Sequence, residues 1–110
     1  MSTNWFRVAC ALLLPVIVSA GDIYGTLREG SSPRGGVHYQ VLDAHGNATI
    51  NTVTESNGSF RFSLQNGRYT LRVAFGPRPA DAPIYSSPNP AQYDFELVRQ
   101  ADGSYSLVRR

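Results

Sequence analysis

The sequence predicts an all-β fold, a seven-stranded antiparallel β-sandwich. Apolar residues alternate with polar ones at period two in successive runs. Phe60, Phe62 and Leu64 share one face, Tyr69, Leu71 and Val73 another, and Tyr93, Phe95 and Leu97 a third. Turn pairs punctuate the runs at Asn57-Gly58, Asn66-Gly67 and Asp102-Gly103. Beyond residue 20, no segment carries apolar residues at helical spacing.

Residues 1–20 are expected to be a signal peptide. Arg7 supplies a positive n-region, Val8 to Val18 a short apolar core, and Val18-Ser19-Ala20 a small-residue cleavage site. The apolar run is shorter than the roughly 20 residues needed to span a bilayer. Cys10 lies inside it and reads as an apolar residue of the signal. The remaining chain, 21–110, is expected to be one domain without cysteine, hence without a disulfide or a thiol nucleophile. A chain of that size buries about 60–65% of its unfolded surface, so packing alone must hold it.

Each strand has its own warrant. Asp22–Arg28 places Ile23, Gly25 and Leu27 on one face, and a Gly/Ser/Pro-rich loop, 29–36, follows. Val37–Leu42 turns Val37, Tyr39 and Val41 inward. Asp43-Ala44-His45-Gly46-Asn47 reads as a turn. Ala48–Thr54 is rich in β-branched residues. The runs on either side of Gln65-Asn66-Gly67 read as the two arms of a β-hairpin. Gly76–Ala91 holds five of the seven prolines. That composition excludes a central strand and predicts a binding loop, with a short edge strand at Ile84-Tyr85. Gln92–Arg99 and Ser104–Arg109 close the sheets around the Asp102-Gly103 turn. Arg109 and Arg110 read as a solvated end.

Charge narrows the function. The formal charge of +2 falls to +1 without Arg7, too small for a nucleic-acid footprint or a basic membrane patch. Every basic residue is arginine, which excludes Schiff-base chemistry and lysine isopeptide crosslinks.

Several motifs carry a family resemblance. Gly25-x-Leu27 followed by Pro33-Arg34-Gly35-Gly36-Val37-x-Tyr39-x-Val41 resembles the opening of carboxypeptidase regulatory-like domains, which have a transthyretin-like fold. Thr54-Glu55-Ser56-Asn57-Gly58-Ser59-Phe60-Arg61-Phe62 resembles that family's T-D-x-x-G-x-F-x-F signature, with glutamate in place of aspartate. Asn66-Gly67-Arg68-Tyr69-Thr70-Leu71-Arg72-Val73 resembles its G-x-Y-T-L-x-V strand. The resemblance implies a noncatalytic structural or binding role. The transthyretin-like fold includes a purine-degrading hydrolase, 5-hydroxyisourate hydrolase, but its Tyr-Arg-Gly-Ser motif is missing here.

No catalytic constellation appears. His38 and His45 are the sole histidines and lack the cluster of ligands a metal needs, so no cofactor is expected. No Gly-x-Ser-x-Gly elbow is present. Asp94 and Glu96, with Arg99 nearby, read as a solvated acidic face that guards a sheet edge. The expectation is an exported module, periplasmic or secreted, that binds an envelope or extracellular protein through loop 76–91 and an exposed edge strand. The alternative is a small carbohydrate-binding module. Tyr85 and Arg78 in the loop are the candidate contact residues for either, with Tyr24 as the other uncommitted aromatic.

Overall fold

The computed structural model describes residues 20–110. The expected signal segment lies outside the described residues, apart from Ala20. Ten strands follow one another, and no described residue is helical: β1 (Ala20–Glu29), β2 (Ser32–Pro33), β3 (His38–Leu42), β4 (Ala48–Val53), β5 (Ser59–Gln65), β6 (Gly67–Val73), β7 (Ala80–Ser86), β8 (Ala91–Gln92), β9 (Phe95–Arg99) and β10 (Tyr105–Arg109).

They form the two sheets of a sandwich. One has the order β4-β3-β6-β7 and is antiparallel throughout. The other runs β10-β9-β1-β2, with β5 and β8 also paired to β1. In this sheet β1 is antiparallel to β5 but parallel to β8 and β9, so the fold is antiparallel-rich rather than purely antiparallel. The alternation marks the core correctly: Ile23, Leu27, Tyr39, Val41, Phe60, Phe62, Leu64, Leu71, Val73, Phe95 and Leu97 are all buried.

The expected hairpin around Asn66-Gly67 does not form. β5 and β6 are consecutive but lie in different sheets, β5 on β1 and β6 between β3 and β7. The connection is an arch over the core. Its physical reason is the apolar content of both arms. As a hairpin they would put Phe60, Phe62, Leu64, Leu71 and Val73 on one sheet face and leave that face in need of a cover. Facing each other across about 10 Å, the two rows cover one another. The contact is visible in Tyr39 of β3, whose ring centroid lies 6.0 Å from that of Phe60 and 6.1 Å from that of Phe62. Tyr69 caps the arch, half-buried, and its hydroxyl donates to the Gln65 carbonyl at 2.9 Å.

The turn before β5 has the shape that the sequence reading gives it. Gly58 has φ +82°, and a side chain there would meet the Leu27 carbonyl oxygen at 2.6 Å. The local cap is supplied by Asn57, whose Oδ1 accepts from the Ser59 N–H at 3.0 Å, and not by Glu55. Thr54 is a buried hub: its hydroxyl donates to the Arg34 carbonyl at 2.7 Å and accepts from the Val37 N–H at 3.0 Å. β1 passes close beneath the segment that joins β8 to β9. A Cβ on Gly25 would stand 1.8 Å from the Tyr93 carbonyl oxygen, so this crossing admits glycine alone.

Candidate functional site

The proline-rich segment is mostly strand. β7 pairs with β6 along its whole length, from Gly67↔Ser86 to Val73↔Ala80. Ala80, Ala82, Ile84 and Ser86 point into the core, while Asp81, Pro83 and Tyr85 point out. The segment is therefore a border strand far longer than Ile84-Tyr85, and the expected free loop shrinks to its flanks. Proline is tolerated because of where its nitrogen faces. The Tyr85 N–H points off the sheet and donates to the Tyr93 hydroxyl at 3.0 Å. Pro83 has the same parity, so the donor it lacks would have faced off the sheet as well.

Arg78 and Tyr85 do not meet. They stand at opposite ends of this segment, about 20 Å apart in extended chain. Arg78 pairs with Asp102 of the β9–β10 turn and donates to the Ser104 hydroxyl at 3.1 Å. The Asp102 carboxyl is held well below the usual carboxylate range, chiefly by the Ser104 hydroxyl, then by the Ser104 N–H and Arg78. Tyr85 is 55% exposed. It stands beside an apolar cleft of about 260 Å³ lined by Pro83, Tyr93, Phe95, Leu107 and Arg109. The Arg109 guanidinium stacks on Tyr93 with Cζ 3.9 Å from the ring centroid, and its Nη2 donates to the Gln92 carbonyl at 2.7 Å. Arg110 Nε donates to Glu96 at 2.7 Å. The two terminal arginines are thus tethered, not loose in solvent. Glu96 and Asp94 are engaged separately, Glu96 by Arg110 and Asp94 by Thr26 and Gln92.

The opposite border of the same sheet is β4, and nearly all of it is exposed. The Thr54 N–H donates to the Val37 carbonyl on the β3 side. By period-two alternation Thr52 and Ile50 face β3 as well, so the N–H and C=O of Asn51 and Val53 face open solvent. Val53 is 49% exposed. Among the longer border strands β5 carries Arg61, β7 carries Asp81 and Pro83, and β10 carries Arg109. β4 carries neither charge nor proline. Sequence reading missed this, because alternation says which face is buried but not which strand ends a sheet.

His38 and His45 are exposed. Among the described residues no three His, Cys, Asp or Glu side chains converge on a common point where a metal could sit. Among them, too, no helix is long and apolar enough to cross a membrane.

These features define a class: a small two-sheet β-sandwich with one sealed and one open sheet border. Residues 14–92 match the family described as "Protein of unknown function (DUF1416)", and the chain belongs to that family. No curated protein matches it in sequence. Its fold is similar to that of the Bacillus anthracis TIE protein, with TM-score 0.61 and 13% identity, covering 81% of this chain and 17% of that one. A DUF3823 family protein from Parabacteroides merdae gives TM-score 0.59 and 11% identity, covering 84% and 48%. GBS52, the minor pilin of Streptococcus agalactiae, gives 0.56 and 19%, covering 84% and 47%. The chain spans less than half the length of each of these three structures.

Proposed function

We propose that this chain is an exported, noncatalytic module of the carboxypeptidase regulatory-like kind that binds a protein partner by strand addition at β4. The partner supplies an extended, uncharged segment in the envelope or outside the cell. The observation that carries the reading is the open backbone of Asn51 and Val53 on the one long border strand among the described residues that has neither charge nor proline. Ladder hydrogen bonds at these positions give affinity, and side chains of the outer sheet face give selectivity. Export is supported by the apolar segment ahead of Ala20, and by the pilin among the similar folds.

Tyr85 lies on the same outer face, since Asn51, Gln40, Arg72 and Asp81 form one row across the four strands and Tyr85 shares the parity of Asp81. A partner that covers this face touches Tyr85 as a second contact, so Tyr85→Ala is expected to weaken binding severalfold. Arg78 serves to hold the segment before β7 against Asp102 and Ser104.

The test is amide hydrogen exchange with a partner captured from envelope and culture extracts. Bound partner should slow exchange at Asn51 and Val53, and Asn51→Pro should abolish both capture and protection. Capture that survives Asn51→Pro would remove β4 from the account.

A further inference from the structure

The outer face of the six-stranded sheet carries a groove of about 390 Å³ that the strand-addition reading does not use. Two rows of side chains cross it. Strand registers place Arg61 of β5, Tyr24 of β1 and Gln92 of β8 side by side. The next row is Ser59 and Thr26, continued by Asp94. Asp94 is fixed from both sides. Its Oδ1 accepts from the Thr26 N–H at 3.1 Å and the Thr26 hydroxyl at 3.0 Å, and its Oδ2 accepts from Gln92 Nε2 at 2.8 Å. Glu55 also lines the groove.

We infer that this groove binds a neutral pyranose unit of an oligosaccharide, stacked on Tyr24 and hydrogen-bonded by Gln92, Asp94 and Arg61. A pyranose has an apolar C–H face, which suits the electron-rich face of an exposed aromatic ring. Tyr24 is 36% exposed. Arg61 Cζ lies over the ring at 5.7 Å from its centroid, the outer limit of a cation–π contact, so a stacking sugar displaces this loosely held guanidinium toward the ring edge. Tyr93 offers the contrast, its ring being covered by Arg109 at 3.9 Å. Sugar hydroxyls both donate and accept, so a site needs both kinds of group. Here Arg61 donates, Asp94 and Glu55 accept, and Gln92 and Ser59 do both. Arg61 commits Nη2 to Asp22 at 3.0 Å and keeps its other N–H groups. Asp94 is already oriented by three donors, so binding need not order it. With two carboxylates against one guanidinium, the groove repels uronates and phosphates and favours an uncharged ring. The cleft beside Tyr85 lacks this mixture: its lining is apolar apart from Arg109 and the tyrosine hydroxyls.

The test is a titration of the ¹⁵N-labelled protein with cellohexaose, maltohexaose, mannohexaose and chitohexaose, and with hexagalacturonate as the acidic control. Saturable shifts at the Tyr24, Arg61 and Gln92 amides with at least one neutral hexasaccharide are expected. Tyr24→Ala should weaken that binding about tenfold or more, the scale of one aromatic stacking contact. Asn51→Pro and Tyr85→Ala should leave it unchanged, which keeps this site separable from the strand-addition surface. Gln92→Ala gives a second reading should Tyr24→Ala not fold. The inference is overturned by the lack of saturable shifts with all four neutral sugars, by shifts clustered elsewhere, by preference for hexagalacturonate, or by unchanged affinity in Tyr24→Ala and Gln92→Ala.

Discussion

The two borders of the four-stranded sheet are built on opposite principles. β7 is sealed. Its inward residues are buried, two of its three outward backbone positions offer no free donor, Pro83 lacking one and Tyr85 being capped by Tyr93, and the side chain of the third, Asp81, is clamped by both Nε and Nη2 of Arg72, each at 2.9 Å. β4 is almost wholly exposed, uncharged, and open along its backbone. One sheet thus holds a border that resists pairing and a border that invites it. The difference is one of composition at the edge: the same chain guards its other long borders with charge or proline and leaves β4 with neither.

The largest test of this contrast is in the core. Ile84→Ala, on β7, should cost roughly 2–5 kcal/mol in chemical denaturation, whereas Ile50→Ala on half-open β4 should cost about 1 kcal/mol. Equal losses would break the comparison. Next, Tyr93→Phe removes the hydroxyl that caps the Tyr85 N–H, so a loss of about 0.5–1.5 kcal/mol is expected, with faster exchange at Tyr85. Unchanged exchange would mean that β7 is sealed by packing alone. Asn51→Pro should change stability by no more than about 0.5 kcal/mol, because the donor it removes faces solvent. Unfolding of that variant would show that Asn51 bonds β3.

The smallest effect concerns acid. Asp43 anchors the β3–β4 turn, accepting from the Asn47 N–H at 2.9 Å and the His45 N–H at 2.8 Å. These bonds, Asn47's first, hold its carboxyl below the usual carboxylate range. The unfolded chain therefore takes up that proton at higher pH than the folded one. The contribution is complete above about pH 4 and fades as pH falls further. Asp43→Ala should lower the thermal midpoint at pH 6 and converge on the parent protein near pH 2. A constant difference across that range would detach the turn from this carboxylate.

Much of this was legible in the sequence. Period-two alternation identified inward residues of β1, β3, β5, β6 and β9, since burial on one face leaves a direct trace in composition. Strand pairing left no such trace. Asn66-Gly67 has the composition of a hairpin turn, yet the apolar arms decided the matter by covering each other across the core. β7 was hidden by its prolines, whose meaning depends on which way a nitrogen faces. Tyr24 and Tyr85 stood out as uncommitted aromatics, and both are exposed. The companions of Tyr24 could not be foreseen, because Arg61 and Gln92 reach it through one antiparallel and one parallel register, and Asp94 through its bonds to Thr26 and Gln92.

The parallel pairing of β1 with β9 has a kinetic meaning. Thr26 and Asp94, hydrogen-bonded at the start of that pairing, are 68 positions apart. The strand at the centre of the six-stranded sheet must wait for one of the last to be made. Loops of that length close slowly, and chains dominated by such contacts fold in milliseconds to seconds rather than microseconds. Until β9 arrives, the Leu27 end of β1 is a bare edge. A folding chain thus spends its vulnerable interval with the six-stranded sheet half assembled, and that interval ends with the docking of residues 95–99.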